Sequence, residues 1–219
     1  WKPLAEQGNA DAQYNLGAMY DKGLGVLKDS KTAVKWYRLA AEQGNGLSQY
    51  NLGVMYYRGY GVPKDDEAAV KWYRLAAEQG NANAQYKLSV MYVNGLGVPK
   101  DHVHAHMWGI IAASNGNENG GKVRDFSAKR MNPSQIKIAQ DFARECVRKK
   151  YQGCIPNAKK SNHFQKGFAA FQSGDYATAL SEWKPLAEQG NADAQYNLGL
   201  MHKNGRGVPR DDKTAVKWY

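Results

Sequence analysis

The chain has 219 residues, 42% of them hydrophobic and 23% charged, a balance suited to a buried core under a water-facing surface. Thirty Lys and Arg against 20 Asp and Glu give a formal charge of +10. No apolar run approaches the roughly 18 residues that a membrane helix needs, so no segment of this sequence spans a bilayer.

Residues 1–8 read as the second half of a helix that stops at Gly8 and Asn9, which places the opening of this sequence inside an element. From Ala10 the apolar positions Ala12, Leu16, Met19, Tyr20 and Gly23 fall on one face of a helix, here helix A. Gly23, Leu24, Gly25 and Val26 break it. Asp29 is placed to cap a second helix, B, whose stripe is Ala33, Trp36, Tyr37, Ala40 and Ala41 and whose end is Gly44. The same pair returns from Leu47 to Gly80 with Asp65 as cap, and from Ala82 to Gly116 with Asp101 as cap. Tyr14, Tyr50 and Tyr86 stand 36 residues apart, as do Trp36, Trp72 and Trp108. A fixed period of this size marks a solenoid, in which each unit buries its apolar face only against its neighbours.

The recurring letters, Ala-x-Ala-Gln-Tyr-Asn-Leu-Gly-x-Met-Tyr-x-x-Gly-x-Gly-Val-Pro-x-Asp followed by Ala-Val-Lys-Trp-Tyr-Arg-Leu-Ala-Ala-Glu-Gln-Gly, resemble the Sel1-like repeat, a relative of the tetratricopeptide repeat. The resemblance covers about two thirds of the chain. It departs at Leu27, where Pro63 and Pro99 stand, at Gly46 and Leu47, and at Ser89, where Gly17 and Gly53 stand. It implies an all-α, right-handed superhelix of antiparallel helix pairs, with helices A on the concave side and helices B on the convex side.

Beyond Gly116 a more polar helix is expected from Asn117 to Arg130. Asn132 and Pro133 then start an amphipathic helix running to about Lys150 that covers the open end of the array. This part resembles the C-terminal end of bacterial Sel1-repeat proteins, from His106-Met107-Trp108 to Tyr151-Gln152-Gly153-Cys154. Residues 155–163 read as a linker. Phe164 to Leu180 then resembles a tetratricopeptide hairpin of the kind that opens such proteins, with Pro185 expected to bend its second helix. The domain expectation is therefore repeats over 1–117, capping helices over 118–154, a linker over 155–163, an opening hairpin over 164–190 and a further repeat over 191–219.

Residues 183–199 repeat residues 1–17 letter for letter, an offset of 182, and Lys213 to Tyr219 repeats Lys31 to Tyr37. Either this is a stretch of a tandem of such units, the preferred reading, or two related pieces have been joined.

Candidate chemistry is sparse. Eleven basic residues against three acidic ones between Lys122 and Lys160 concentrate the positive charge. A solvated face is the favoured reading of that segment over a nucleic-acid site. Cys146 and Cys154 are the only cysteines, and two readings stand: a disulfide that pins the capping helix, or one buried and one free thiol. His102 and His106 share a helix face at i, i+4, as two zinc ligands do, but no third ligand accompanies them, so packing is preferred to metal binding. The Gly-x-Gly loops follow helices and lack the lysine of a phosphate cradle. No nucleophile, base and orienting group come together. The expectation is a non-enzymatic scaffold without cofactor that binds a protein or peptide in a helical groove. The alternative is a structural protein whose units of about 182 residues associate end to end into a fibre. The resemblance implies a periplasmic or secreted setting. The expected partner-binding residues are Gln13, Asn15, Gln49, Asn51, Tyr57, Arg58, Gln85, Lys87, Gln195 and Asn197, chosen because amides both donate and accept, and because an aromatic beside a cation makes a binding hot spot; for the amides a second reading stands equally, that they tie one repeat to the next.

Overall fold

A computed structural model describes the backbone of every residue except 155–157, 189 and 219, and the side chains of the same set less 134, 158–162, 165 and 192. Thirteen helices and no strand are present among the described residues. The chain divides into two compact units, Trp1–Cys154 and Ile155–Tyr219.

Unit 1 holds α1 (Lys2–Glu6), α2 (Ala10–Lys22), α3 (Ser30–Glu42), α4 (Gly46–Arg58), α5 (Asp66–Ala77), α6 (Ala82–Asn94), α7 (His102–Ser114), α8 (Glu118–Ala128) and α9 (Pro133–Arg148). Each helix packs on the next as far as α8, while α9 folds back onto α7. The starts of the helices are written in two capping residues. Asn9, Asn45 and Asn81 accept from the backbone N–H of Ala12, Ser48 and Ala84 at the heads of α2, α4 and α6. Asp29, Asp65 and Asp101 do the same for α3, α5 and α7, as their spacing predicts. The A helices end on left-handed glycines, Gly23, Gly59 and Gly95, whose N–H groups return to Met19, Met55 and Met91.

The small residues explain how closely the pairs pack. A Cβ on Gly17 would lie 2.8 Å from the Tyr37 ring, and one on Gly53 would lie 2.6 Å from Tyr73. The glycine on helix A is therefore the socket for a tyrosine on helix B, and both tyrosines are at most 1% exposed. In the third repeat the tyrosine's place is taken by Gly109, so the socket is not needed and Ser89 is tolerated. Gly109 instead lets α7 meet α8 backbone to backbone, where an added Cβ would come within 2.9 Å of Gly120 O. Between repeats, the second glycine of the second and third loops rests on the head of the preceding B helix. A Cβ on Gly61 would meet Ser30 O at 2.3 Å, and one on Gly97 would meet Asp66 O at 2.2 Å.

The closing helix α9 starts on a capping box in which Asn132 and Gln135 bond each other's backbone N–H. Beyond it Lys150 and Tyr151 adopt positive φ, and Cys146 and Cys154 form a disulfide with their Cα atoms 4.8 Å apart. The looped segment is thereby turned back onto the repeats. Tyr151 donates its hydroxyl to Asn115 Oδ1 at 3.0 Å, and Gln152 donates to Glu78 O at 3.0 Å.

Unit 2 holds α10 (Ala158–Ser173), α11 (Tyr176–Glu188), α12 (Ala192–Asn204) and α13 (Asp212–Trp218). The expected linker over 155–163 is shorter than its composition implied, and its first three residues lie outside the described ones. Helix α10 already runs at Ala158 because Ala-Lys-Lys offers good helix formers with no breaker after Pro156. Its Phe164, Phe168 and Phe171 pack on a core of Trp183, Leu186, Leu198 and Met201. Pro185 sits inside α11.

Candidate partner-binding surface

The glutamines assigned to a partner face have another occupation. Gln13 and Gln49 are 4% exposed and Gln85 is fully buried. Each donates its amide to a carbonyl at the end of the preceding helix: Gln13 to Ala5 O, Gln49 to Ala41 O and Gln85 to Ala77 O, all at 3.1 Å. Each of these carbonyls also accepts from the backbone N–H of the glycine just past the helix end, Gly8, Gly44 or Gly80, so the buried amide fills its second lone pair. The acceptor side of each amide is filled as well, by Gln43 on Gln13 and Gln79 on Gln49 at 2.7 Å, and by Asn115 on Gln85 at 2.9 Å. Gln195 donates likewise to Ala187 O at 3.0 Å. Gln13, Gln49 and Gln85 therefore tie three successive helices together and present nothing to a partner. Tyr151 stands 36 residues beyond Asn115, and its bond to Asn115 is the last rung of this ladder.

The remaining assigned residues divide. Asn197 is 7% exposed. Asn51 is half-buried and bonds the Tyr37 hydroxyl, which burial and then the nearby Asp21 hold well above the ordinary tyrosine range. Asn15 is half-buried. Arg58 is exposed and lies over the half-buried Tyr57 ring at 5.6 Å, with Lys64 on the same ring at 5.9 Å. Lys87 is half-buried with its ammonium 5.6 Å from the Tyr86 ring. Burial pushes its pKa down, and the Arg58 charge acts in the same direction.

The sequence reading missed a groove between α6 and α8. It has a volume of 310 Å³ and a floor of Tyr86, Val90, Val93, Val123 and Phe126, with Lys122 at its edge. Each of these residues has a register mate. Phe126 continues the row Ala18, Val54 and Val90, and Lys122 continues the row Tyr14, Tyr50 and Tyr86. Extending the 36-residue rows past Gly116 is the signal that would have found it. Phe126 is 42% exposed, with the Arg130 guanidinium 3.5 Å from its ring centroid.

The three histidines of α7 are drawn into packing. His104 stacks on Tyr92 at 5.2 Å with its Nδ1 2.7 Å from Asp101. His106 Nδ1 bonds Arg124 O at 2.9 Å, and the His102 ring lies 6.4 Å from Phe126. Among the described residues no group of three or more His, Cys, Asp or Glu is placed to hold a metal ion.

Antiparallel helix pairs repeated at 36 residues, stacked through paired amides and glycine sockets, define an α–α superhelix of the Sel1 and tetratricopeptide kind. The Sel1 repeat matches residues 10–45, 46–81, 82–117 and 192–219, and the chain belongs to the Sel1 repeat family. Similar in structure is a protective antigen present in uropathogenic Escherichia coli strains and displaying an SLR fold. It has 34% identity and a TM-score of 0.58, with the match covering 100% of this chain and 46% of the antigen. A Sel1 repeat protein from Oxalobacter formigenes has 30% identity and a TM-score of 0.51, over 97% of this chain and 72% of that one. In sequence, DAP3-binding cell death enhancer 1 from Rattus norvegicus is 44% identical over 50 residues, and its Mus musculus counterpart is 42% identical. That stretch is 23% of this chain and only 10% of each of those proteins. No helix among the described residues is long and apolar enough to cross a membrane.

Proposed function

We propose that this chain is a non-enzymatic scaffold that receives a peptide or protein partner on the concave face made by its A helices. Sel1 repeat proteins generally mediate protein–protein interaction and are typically non-catalytic. The observation that carries the reading is the groove between α6 and α8, where apolar side chains in a repeating row remain uncovered. A groove held open by folded helices binds without the cost of ordering itself. Arg58 and Tyr57 extend this face one repeat back, whereas Gln13, Gln49 and Gln85 serve to keep it rigid. Hydrogen exchange of the chain with and without a bound peptide tests the reading. Protection is expected in α4, α6 and α8. Protection confined to α3, α5 and α7 would overturn it.

A second reading, end-to-end association of 182-residue units into a fibre, is favoured by one observation. Residues 1–17 recur at 183–199, an offset of 182. Sedimentation and electron microscopy separate the two readings, since a scaffold gives discrete particles. The Cys146–Cys154 disulfide supports a periplasmic or secreted setting, because such bonds persist in oxidising compartments.

A further inference from the structure

The groove between α6 and α8 is bordered by charge that the chain itself leaves unanswered. Lys122 stands at its edge, bonded to Asn119 Oδ1 at 3.1 Å. Lys87 follows Tyr86 on α6, and Arg130 covers one face of Phe126. Arg58 occupies the same register row as Arg130. Among the ion pairs of the described residues none involves Lys87, Lys122, Arg58 or Arg130, and no acidic residue lines the groove. A larger depression of 710 Å³ among α7, α8 and α9 shows the opposite arrangement: its Arg124 and Arg144 are paired within the chain, with Asp125 and Asp141. Lys122 thus lines this groove without an acidic partner, with Lys87 beside its Tyr86 ring and Arg130 on its Phe126 ring.

We propose that this groove binds an acidic peptide segment of a protein partner. Carboxylates of the segment meet Lys87 and Lys122, and an adjoining aliphatic or aromatic side chain enters between Val90, Val93, Val123 and Phe126. The inference rests on the scaffold reading and gives its partner a chemistry. Lys87 is half-buried beside a second cation, so a carboxylate arriving there relieves a repulsion as well as making a charge-assisted hydrogen bond. The volume lies at the small end of the range of about 300–1,000 Å³ for ligand pockets, which fits side chains of a peptide rather than a folded domain. The apolar floor argues against a nucleic-acid backbone, which would answer the lysines and leave Val90, Val93 and Phe126 uncovered.

A random peptide library selected on the full chain tests this, followed by titration of the selected peptides against variants. The expected consensus is acidic with one aliphatic or aromatic residue. Binding is expected to weaken about tenfold or more in the Lys87→Ala, Lys122→Ala double variant and in Phe126→Ala, and to be kept in Lys122→Arg. It is also expected to weaken as salt is raised. Lys122 and Phe126 are exposed, and circular dichroism confirms that each variant folds. A neutral or basic consensus, or acidic peptides that bind all variants equally, overturns the inference and leaves the scaffold reading standing. Selection of no peptide at all overturns both. An oligonucleotide that displaces the peptide and binds Phe126→Ala as well as the parent chain overturns it in favour of a polyanion site.

Discussion

Residues 1–17 and 183–199 are the same seventeen letters in two surroundings. Among their described residues the caps and the amide bonds are the same. Asn9 and Asn191 cap α2 and α12 through the N–H of Ala12 and Ala194, both at 2.8 Å, and Gln13 and Gln195 reach back to Ala5 O and Ala187 O at 3.1 and 3.0 Å. Ala5 and Ala187 are both 1% exposed. On the opposite side of the first helix they part: Trp1 is 61% exposed and Trp183 is 0%, Leu4 is 49% and Leu186 is 5%. The difference is α10, whose Phe164 and Phe171 rings lie 5.9 and 5.5 Å from Trp183, and whose Phe164 carbonyl takes the indole N–H at 3.1 Å. Caps and turns travel with the letters. Burial of the far side of the first helix does not, because in a stacked array it belongs to the neighbour.

The sharpest way to break this comparison is to remove the tryptophan in both places. Trp183→Ala should cost unit 2 about 3–5 kcal/mol, whereas Trp1→Ala should stay within about 0.5 kcal/mol, read by urea denaturation of each variant. Equal losses would mean that the indole matters for a reason other than its cover. A smaller effect lies within the shared letters at Gly17. Placing a Cβ 2.8 Å from the Tyr37 ring in Gly17→Ala should cost about 1–3 kcal/mol, while Ser89→Ala, which faces no tyrosine, should cost less than about 1 kcal/mol in the same assay.

Next comes the amide ladder. Gln13→Ala removes one of the two donors on the Ala5 carbonyl, which keeps the Gly8 N–H, and one of the two acceptors of the Gln43 amide, which keeps Leu39 O, and should cost about 0.5–1.5 kcal/mol. A double-mutant cycle with Gln43→Ala should return a coupling of about 0.5 kcal/mol or more if the rung is real. The smallest effect separates the units by pH. Burial holds His102 and His106 below the ordinary 6.5, with Lys100 and Arg130 adding to the shift at His102 and the Arg124 charge adding to it at His106, where the bond to Arg124 O opposes it. The folded chain then carries fewer protons than the unfolded one just below pH 6.5. The stability this gives is complete above 6.5 and is lost as pH falls from there through the lowered values. In unit 2 the carboxylates of Asp175, Glu182 and Asp211 are held low, chiefly by Thr178, Lys166 and Thr214. Their contribution persists down to the ordinary values of 3.8 and 4.5 and fades only below them. Hydrogen exchange against pH should show unit 1 weakening first.

The period, the B-helix caps Asp29, Asp65 and Asp101, and the break at each Gly-x-Gly were legible because each is a local statement about backbone geometry. The glutamines were not, since the same amide suits a partner's backbone or the end of a neighbouring helix, and only the helix geometry chooses. Ser89 was legible only as a departure from the repeat letters, and its reason lies in Gly109, which withdraws the ring that its glycine mates accommodate. The groove at Phe126 escaped because α8 is polar and no longer matches the repeat letters, although it keeps their count. Lys122 was read as part of a charged run from 122 to 160, a grouping by sequence that the fold does not respect: Arg144 and Arg148 find acids on their own helix, while Lys122 faces a groove with none.

The rungs that join Gln13 to Gln43, Gln49 to Gln79 and Gln85 to Asn115 all span 30 residues, and Tyr151 reaches Asn115 across 36. A gene carrying such an array can lengthen or shorten by whole modules and keep every rung, because each copy brings its own donor and acceptor. Gain or loss of a few codons inside a helix puts the following amides out of step with the helix ends they serve. Inheritance is therefore free to change how many modules there are, and much less free to change how long each one is.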